Sequence, residues 1–167
     1  MGEWTQEKVL TLARGFMESR ILLTGAQLNL FSLLARGPLS ADETANRLGG
    51  DLRATTILLD ALTAMDLLKK ADGKYTCDPS TAKLLSEETP GTILPMVLHA
   101  GNLWTRWSNL TAMTAGSHVQ EQASEQWLQS FIGAMHVSGA PQAERIVAKV
   151  NPGTARRLLD VGGASGT

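Results

Sequence analysis

Apolar residues Val9, Leu12, Ala13, Phe16, Met17 and Ile21 recur at three- and four-residue spacings, which places them on one face of a helix. The spacing predicts an amphipathic helix over residues 7–21, with the pattern interrupted at Gly25. Leu28, Phe31 and Leu34 predict a short second helix that stops at Arg36-Gly37-Pro38, where glycine and proline both disfavour continuation. Ser40 followed three residues later by Glu43 is a capping-box pattern: the hydroxyl accepts from a first-turn amide and the carboxylate reaches back to the cap amide. A helix over residues 41–48 follows, ended by Gly49-Gly50. Asp51 offers the next N-cap, and Ile57, Leu58, Leu62, Met65 and Leu68 form the apolar stripe of another helix. Leu67 to Lys70, the Asp72-Gly73 turn and Tyr75-Thr76-Cys77 predict a hairpin, since Asp-Gly readily takes the positive φ angles of a tight turn. Helix, capped helix, helix and hairpin in this order are the parts of a winged-helix unit.

The second half carries longer helical patterns. After Pro79, a short helix over residues 81–85 and a loop at Glu87-Glu88-Thr89-Pro90-Gly91, the residues Met96, Val97, Leu98, Leu103, Trp104, Trp107, Leu110 and Met113 predict a largely buried helix that stops near Gly116. Residues 116–125 are polar and read as loop. Trp127, Leu128, Phe131, Ile132 and Met135 resume helical spacing, Gly139 and Pro141 are expected to kink or break the helix, and Ile146, Val147 and Val150 continue the stripe. Asn151-Pro152-Gly153 is a turn. Leu158-Leu159-Asp160-Val161 then reads as a short strand entering Gly162-Gly163-Ala164-Ser165-Gly166. The expected fold class is mainly α: a winged-helix-like helical domain with a small hairpin, followed by the first strand of a Rossmann-like domain.

Composition narrows the partners. With 43% hydrophobic residues the 167-residue chain can bury a core, and 15 basic against 16 acidic residues leave no overall charge that calls for nucleic acid or an anionic membrane. A single cysteine, Cys77, allows neither an intrachain disulfide nor a multi-thiol metal site, so a reducing, cytoplasmic setting is expected, with Cys77 as a small packed side chain. No apolar run approaches the roughly 18 to 20 residues of a membrane span. Met1-Gly2-Glu3-Trp4 lacks the basic and apolar regions of a secretory signal and reads as the true start.

The glycine-rich segment holds the clearest chemistry. Glycines let a backbone approach a ligand closely and take φ angles that a Cβ would forbid. The pattern Asp160-x-Gly162-x-Ala164-x-Gly166 is not the dinucleotide fingerprint, which needs a third glycine three residues after the second. Instead, Leu158-Leu159-Asp160-Val161-Gly162-Gly163-Ala164-Ser165-Gly166 resembles the first motif of class I methyltransferases. Leu12 to Phe16, Ala41 to Leu48, Leu58 to Leu62, Asp72 to Tyr75 and Leu103-Trp104-x-x-Trp107-x-x-Leu110 resemble, in order, the N-terminal dimerisation domain of S-adenosylmethionine-dependent small-molecule O-methyltransferases, the family of plant caffeate and flavonoid enzymes and bacterial tailoring enzymes.

The resemblance implies a domain plan: a dimerisation domain over residues 1–115, a linker and helix over residues 116–154, and the start of the cofactor domain over residues 155–167. It implies S-adenosylmethionine as cofactor, with Asp160, Gly162, Gly163 and Gly166 as its contacts and Ala164 where the family often has glycine. Phe131 and Met135, one helical turn apart, resemble a pocket-lining pair, and His99, on the helix before the tryptophans, is a further lining candidate. It implies a homodimer, in which residues near Phe16 to Arg20 reach toward the partner's site, and a small hydroxylated acceptor. The family's general-base histidine lies well downstream of the glycine loop, so these residues alone are expected to transfer no methyl group and to bind cofactor weakly at most.

The other side chains read as structural. His99, His118 and His136 lack the neighbouring carboxylates of a triad or metal set, and Trp104 and Trp107 read as core or interface. A winged-helix DNA-binding regulator is the alternative reading. Against it, residues 51–74 contain four bases (Arg53, Lys69, Lys70, Lys74) and four acids (Asp51, Asp60, Asp66, Asp72), without the positive excess that counterion displacement requires.

Overall fold

The computed structural model describes residues 3–117, 124–151, 153–157 and 159–166. They form two compact units, Met1–Pro90 and Gly91–Thr167. Helices dominate both, and the first holds one small antiparallel sheet.

Helix α1 (Gln6–Arg14) and α2 (Phe16–Gln27) replace the single predicted opening helix, with Gly15 at the joint. Thr5 caps α1 by accepting from the Lys8 amide at 3.3 Å. Gly25 does not interrupt the pattern: it lies buried inside α2, where an added Cβ would sit 3.1 Å from Leu62 Cδ1 and 3.2 Å from Phe31 Cζ. The glycine is there for close approach rather than for a turn.

Asn29, at φ +52, turns the chain into α3 (Leu30–Ala35). The capping box forms as the sequence requires, with the Glu43 amide donating to Ser40 Oγ at 3.1 Å and the Ser40 amide to Glu43 Oε2 at 2.7 Å, and it starts α4 (Ala41–Leu48). Asp51 caps α5 (Leu52–Ala64) through the Ala54 amide at 2.8 Å.

The apolar stripe that included Met65 and Leu68 does not run on as helix, and Leu68 instead joins the hairpin expected over Leu67 to Lys70. Asp66, at φ +58, closes α5 with a Schellman motif in which the Leu67 amide donates to the Leu62 carbonyl and the Asp66 amide to the Thr63 carbonyl. Leu68 therefore begins β2 (Leu68–Ala71), which pairs with β3 (Lys74–Cys77) across Asp72 (φ +50) and Gly73 (φ +73), the signature of a type I′ turn. A two-residue strand that the apolar pattern does not reveal, β1 (Leu39–Ser40), pairs with the other side of β3 and gives the sheet order β1-β3-β2.

The core of this unit gathers Leu30, Phe31 and Leu34 of α3, Leu59 and Leu62 of α5, Leu68 of β2 and Tyr75 of β3, each at most 2% exposed. Asp78 caps α6 (Pro79–Leu85). The polar segment behind it is tied to α3: the Glu87 amide donates to Ser32 Oγ at 3.1 Å, and Arg36 donates to Glu88.

In the second unit, α7 (Leu94–Ser108), α8 (Leu110–Thr114) and α9 (Glu125–Val150) carry the chain. Here several expectations need correction. The helix after Pro95 breaks at Asn109 into α7 and α8, and it is not largely buried: within it only Leu94 and Gly101 are, while Trp107 is 68% exposed beside exposed Leu103, Leu110 and Met113. Nor does Pro141 break α9, which runs continuously for 26 residues; proline removes one ladder hydrogen bond, and the flanking turns carry the helix through. His118 and most of the predicted loop lie outside the described residues. Leu158 lies outside them as well, and Leu159, Asp160 and Val161 form no strand. A strand requires a hydrogen-bonded neighbour, and among the described residues none flanks this segment.

Two predictions follow from this packing. Gly25→Val should lower the unfolding free energy by about 1–3 kcal/mol, the usual cost of overfilling a close contact, read from the urea midpoint. The second concerns acid. Backbone and hydroxyl hydrogen bonds at Ser40 lower the pKa of Glu43, the Lys70 and Tyr75 hydrogen bonds lower that of Asp60, and the Lys69 ion pair with the Ser80 hydrogen bonds lowers that of Asp78 well below the ordinary carboxylate range. Since the unfolded chain binds these protons more readily, the stabilisation is complete above pH of about 4 and is lost as pH falls through the depressed folded values. Asp78→Asn should flatten the fall in urea midpoint on acidification.

Candidate functional site

Three places in the chain bring chemistry-bearing side chains or backbone together. The first is the seam between α7 and α9. Gly133 packs so tightly on Pro95 that an added Cβ would lie 2.7 Å from the proline Cβ, and Ala134 beside it is fully buried. Farther along, Asn102 Nδ2 donates to Ser130 Oγ at 2.7 Å, while that hydroxyl donates to the Trp127 carbonyl at 2.9 Å. These contacts fix the rotation of α9 against α7. They set three rings together: Trp127 and Phe131 stack at 5.4 Å and 9°, and His99 meets both edge-on, at 5.4 Å from Phe131 and 6.4 Å from Trp127. His99 Nδ1 is buried and has no hydrogen-bond partner among the described residues.

Of the sequence-predicted lining residues, Phe131 and His99 are thus brought together. Met135, one turn farther along α9, is 42% exposed. Sequence reasoning placed Trp127 only on a helical stripe; its four-residue spacing to Phe131 was the available clue. Nothing in the sequence pointed to the Asn102–Ser130 bond, which joins residues 28 positions apart.

The second place is the glycine loop. Gly162 and Gly166 have φ of +76° and +69°, and Ala164, at φ +44, occupies a conformation that suits glycine better. The Gly166 amide donates to the Gly163 carbonyl at 2.7 Å, closing a turn. The Asp160 carboxylate folds over Gly163, where an added Cβ would fall 1.7 Å from Asp160 Oδ2. Asp160, Gly162, Gly163 and Gly166 therefore form one local structure, a carboxylate laid across a glycine backbone.

The third is the N-terminal helical face. No residue of α1 is buried, and Leu12 (72% exposed) lies with Val9, Phe16 and Met17, each at least half exposed, among the apolar residues of α1 and the start of α2. Hydrophobic surface of this extent on an ordered amphipathic helix is a mark of association.

The hairpin, by contrast, is occupied with its own ion pairs. Lys70 Nζ and Tyr75 Oη both donate to Asp60 Oδ1 at 2.7 Å, Lys70 lies 4.7 Å over the Tyr75 ring, and Lys69 pairs with Asp78. Two of the four bases of residues 51–74 are thereby committed to carboxylates of the chain. Among the described residues no group of histidine, cysteine and acidic side chains could hold a metal ion, and no helix is long and apolar enough to cross a membrane. Cys77 is buried as expected, and burial pushes its thiol up to about 11, with the nearby Asp78 charge adding to the shift.

Comparison with known proteins gives this architecture its place. Residues 10–87 match the O-methyltransferase dimerisation domain. Over 106 residues, 62% of the chain and 24% of the relative, the sequence is 36% identical to acetylserotonin O-methyltransferase of Rattus norvegicus. Over 165 residues it is 28% identical to 3-hydroxy-5-methyl-1-naphthoate 3-O-methyltransferase of Streptomyces sahachiroi, covering 93% of the chain and 48% of that enzyme. The fold superposes on human N-acetylserotonin methyltransferase, solved in complex with S-adenosylmethionine, with a TM-score of 0.66 at 24% identity, covering 89% of the chain and 50% of that structure. The chain spans about half, or less, of the length of these relatives.

The buried, protonated state of Cys77 is directly testable. A thiol reagent at pH 8 should label it on the order of 100-fold more slowly in the folded chain than in denaturant, because reaction requires an exposed thiolate; equal rates would contradict the packing described.

Proposed function

We propose that this chain is the dimerisation and pocket-shaping portion of an S-adenosylmethionine-dependent O-methyltransferase that acts on a small hydroxylated acceptor. The observation that carries this reading is the family match over residues 10–87 on a segment whose first helix buries nothing of its own. Two copies pairing through the Val9, Leu12, Phe16 and Met17 stripe would remove that surface from water, as in the apolar interfaces of obligate homodimers. The helix, strand, helix, helix, hairpin order and the β1-β3-β2 sheet support a winged-helix-like form for this domain. The domain plan is residues 1–115 for dimerisation, 116–154 for the connecting helix and 155–167 for the start of the cofactor domain, in a cytoplasmic homodimer.

The glycine loop fits the cofactor. A side chain at Gly163 would occupy the space taken by the Asp160 carboxylate, and Gly162 and Gly166 take left-handed backbone with no Cβ to strain it. Asp160 would hold the amino-acid end of S-adenosylmethionine, with Gly162, Gly163 and Gly166 as its loop contacts, the Gly166 amide being already bonded to the Gly163 carbonyl. The cofactor supplies an electrophilic methyl group on a positively charged sulfur. On the acceptor side, Phe131, Met135 and His99 line the pocket: the first two give it an apolar wall, and His99 adds a polar edge.

Light scattering across a dilution series should show a dimer that persists, and the pair Leu12→Glu with Phe16→Glu should shift it to monomer while leaving the helical circular dichroism intact. A monomer at every concentration that binds duplex DNA in a salt-sensitive manner would overturn the proposal in favour of a winged-helix regulator.

A further inference from the structure

We infer that Asp72-Gly73, at the tip of the hairpin, is a site of spontaneous modification, where the aspartate isomerises through a cyclic imide and so couples chemical ageing to the packing of the first unit. Closing that ring needs three conditions at one place. The carboxyl group must have no other partner, the following amide must not be held in a hydrogen bond, and the following residue must carry no side chain that blocks approach. All three meet at Asp72. Among the described residues its carboxylate has no ion-pair or hydrogen-bond partner, and the Gly73 amide donates to no backbone carbonyl. A Cβ added at Gly73 would find nothing within 4 Å, so the peptide has room to turn toward the side chain.

The other aspartates are each blocked in some way. The carboxylates of Asp42, Asp51 and Asp60 accept from Asn46 Nδ2, from the Ala54 amide, and from Lys70 with Tyr75. After Asp66, the Leu67 amide is already donated to the Leu62 carbonyl at 3.0 Å. Pro79, after Asp78, has no N–H to give. Asp160 precedes Val161, whose branched Cβ crowds the approach. Asp72 differs from all of these, and its backbone adds a further reason. It sits at φ +50, a region that a residue with a Cβ occupies at some cost, and both it and Gly73 are exposed.

In the first step the Gly73 nitrogen attacks Asp72 Cγ. A C–N bond forms, and the hydroxyl of the carboxylic acid leaves with the amide proton as water, giving a succinimide. Water then adds to one of the two imide carbonyls. Opening at the former main-chain carbonyl leaves Gly73 joined through Cγ as isoaspartate, with no net change in composition. The main chain is now longer by one methylene. A two-residue loop fixes the register of the strands it joins, and this register sets Lys70 opposite Tyr75 and Leu68 opposite Cys77. Leu68 and Tyr75 are both at most 2% exposed, so a misfit at the turn is passed to the core.

Prolonged warm incubation of the folded chain at neutral pH tests this, followed by digestion with an endoprotease that cuts before aspartate but not before isoaspartate. Cleavage before Asp72 should be lost progressively, with transient appearance of a species lighter by one water, while cleavage before the other aspartates persists. The isomerised fraction, separated by ion exchange, should unfold at a lower urea concentration than the unmodified chain. Asp72→Glu keeps the charge but would have to close a larger, slower ring, and should lose the modification. Undiminished cleavage before Asp72, or equal loss at the other aspartates, overturns the inference. An isomerised chain with an unchanged urea midpoint overturns its coupling to the core. Both of these readouts use the unsubstituted chain, so neither depends on the folding of the variant.

Discussion

The first unit is organised around a missing side chain. At Gly25 the backbone of α2 comes within about one methyl group's reach of Leu62 on α5 and Phe31 on α3, and both of those residues are completely buried. Close packing at protein density leaves no slack at such a point, so the angle at which α2 meets its neighbours follows from this contact. Tyr75 completes the interior from the sheet side. Its ring is 1% exposed, and its hydroxyl finds Asp60 at the surface, which in turn holds Lys70. One residue thus ends the apolar core and begins the polar network on the hairpin, and burial without an unpaired hydroxyl is achieved where the two meet.

The second unit solves its packing problem with the same device, a glycine at the closest approach of two helices, but uses the result differently. Gly133 brings α9 onto Pro95, and the Asn102–Ser130 bond prevents it from turning. What the seam presents is the ring cluster of His99, Trp127 and Phe131. A ring cluster made from side chains on two helices is only as well placed as the seam beneath it, and here the seam is fixed by groups with little freedom to move: a glycine, a proline and a short hydrogen-bonded pair.

Much of this could be read from the sequence, for identifiable physical reasons. The capping box at Ser40, the N-cap at Asp51 and the Asp72-Gly73 turn were legible because each depends on side chains within a few residues of one another. Features set by distant partners were not. Gly25 looks like a helix breaker until Phe31 and Leu62 are seen against it, and Leu68 fits both the helical stripe and the hairpin until Asp66 closes α5 and Cys77 pairs with it in the sheet. The strand at Leu39 is too short to carry any alternation. Of the kink or break expected at Gly139 and Pro141, the break does not occur, since a long helix can absorb one lost hydrogen bond. For the candidate site, the glycine loop and the Phe131–Met135 spacing were visible, whereas the contribution of Trp127 and the partnerless state of His99 Nδ1 are properties of the α7–α9 seam alone.

The small sheet bears on how this chain avoids unwanted self-association. Its two outer strands, β1 and β2, are sheet edges, the usual template for edge-to-edge aggregation. β1 is only two residues long, and β2 carries Lys69 and Lys70, both exposed, in succession. Another strand approaching β2 would meet these lysines and disturb their pairing with Asp78 and Asp60. A unit with exposed apolar residues on its helices has thereby kept its β-edges short or charged, which steers any contact between copies toward helix packing and away from cross-β growth.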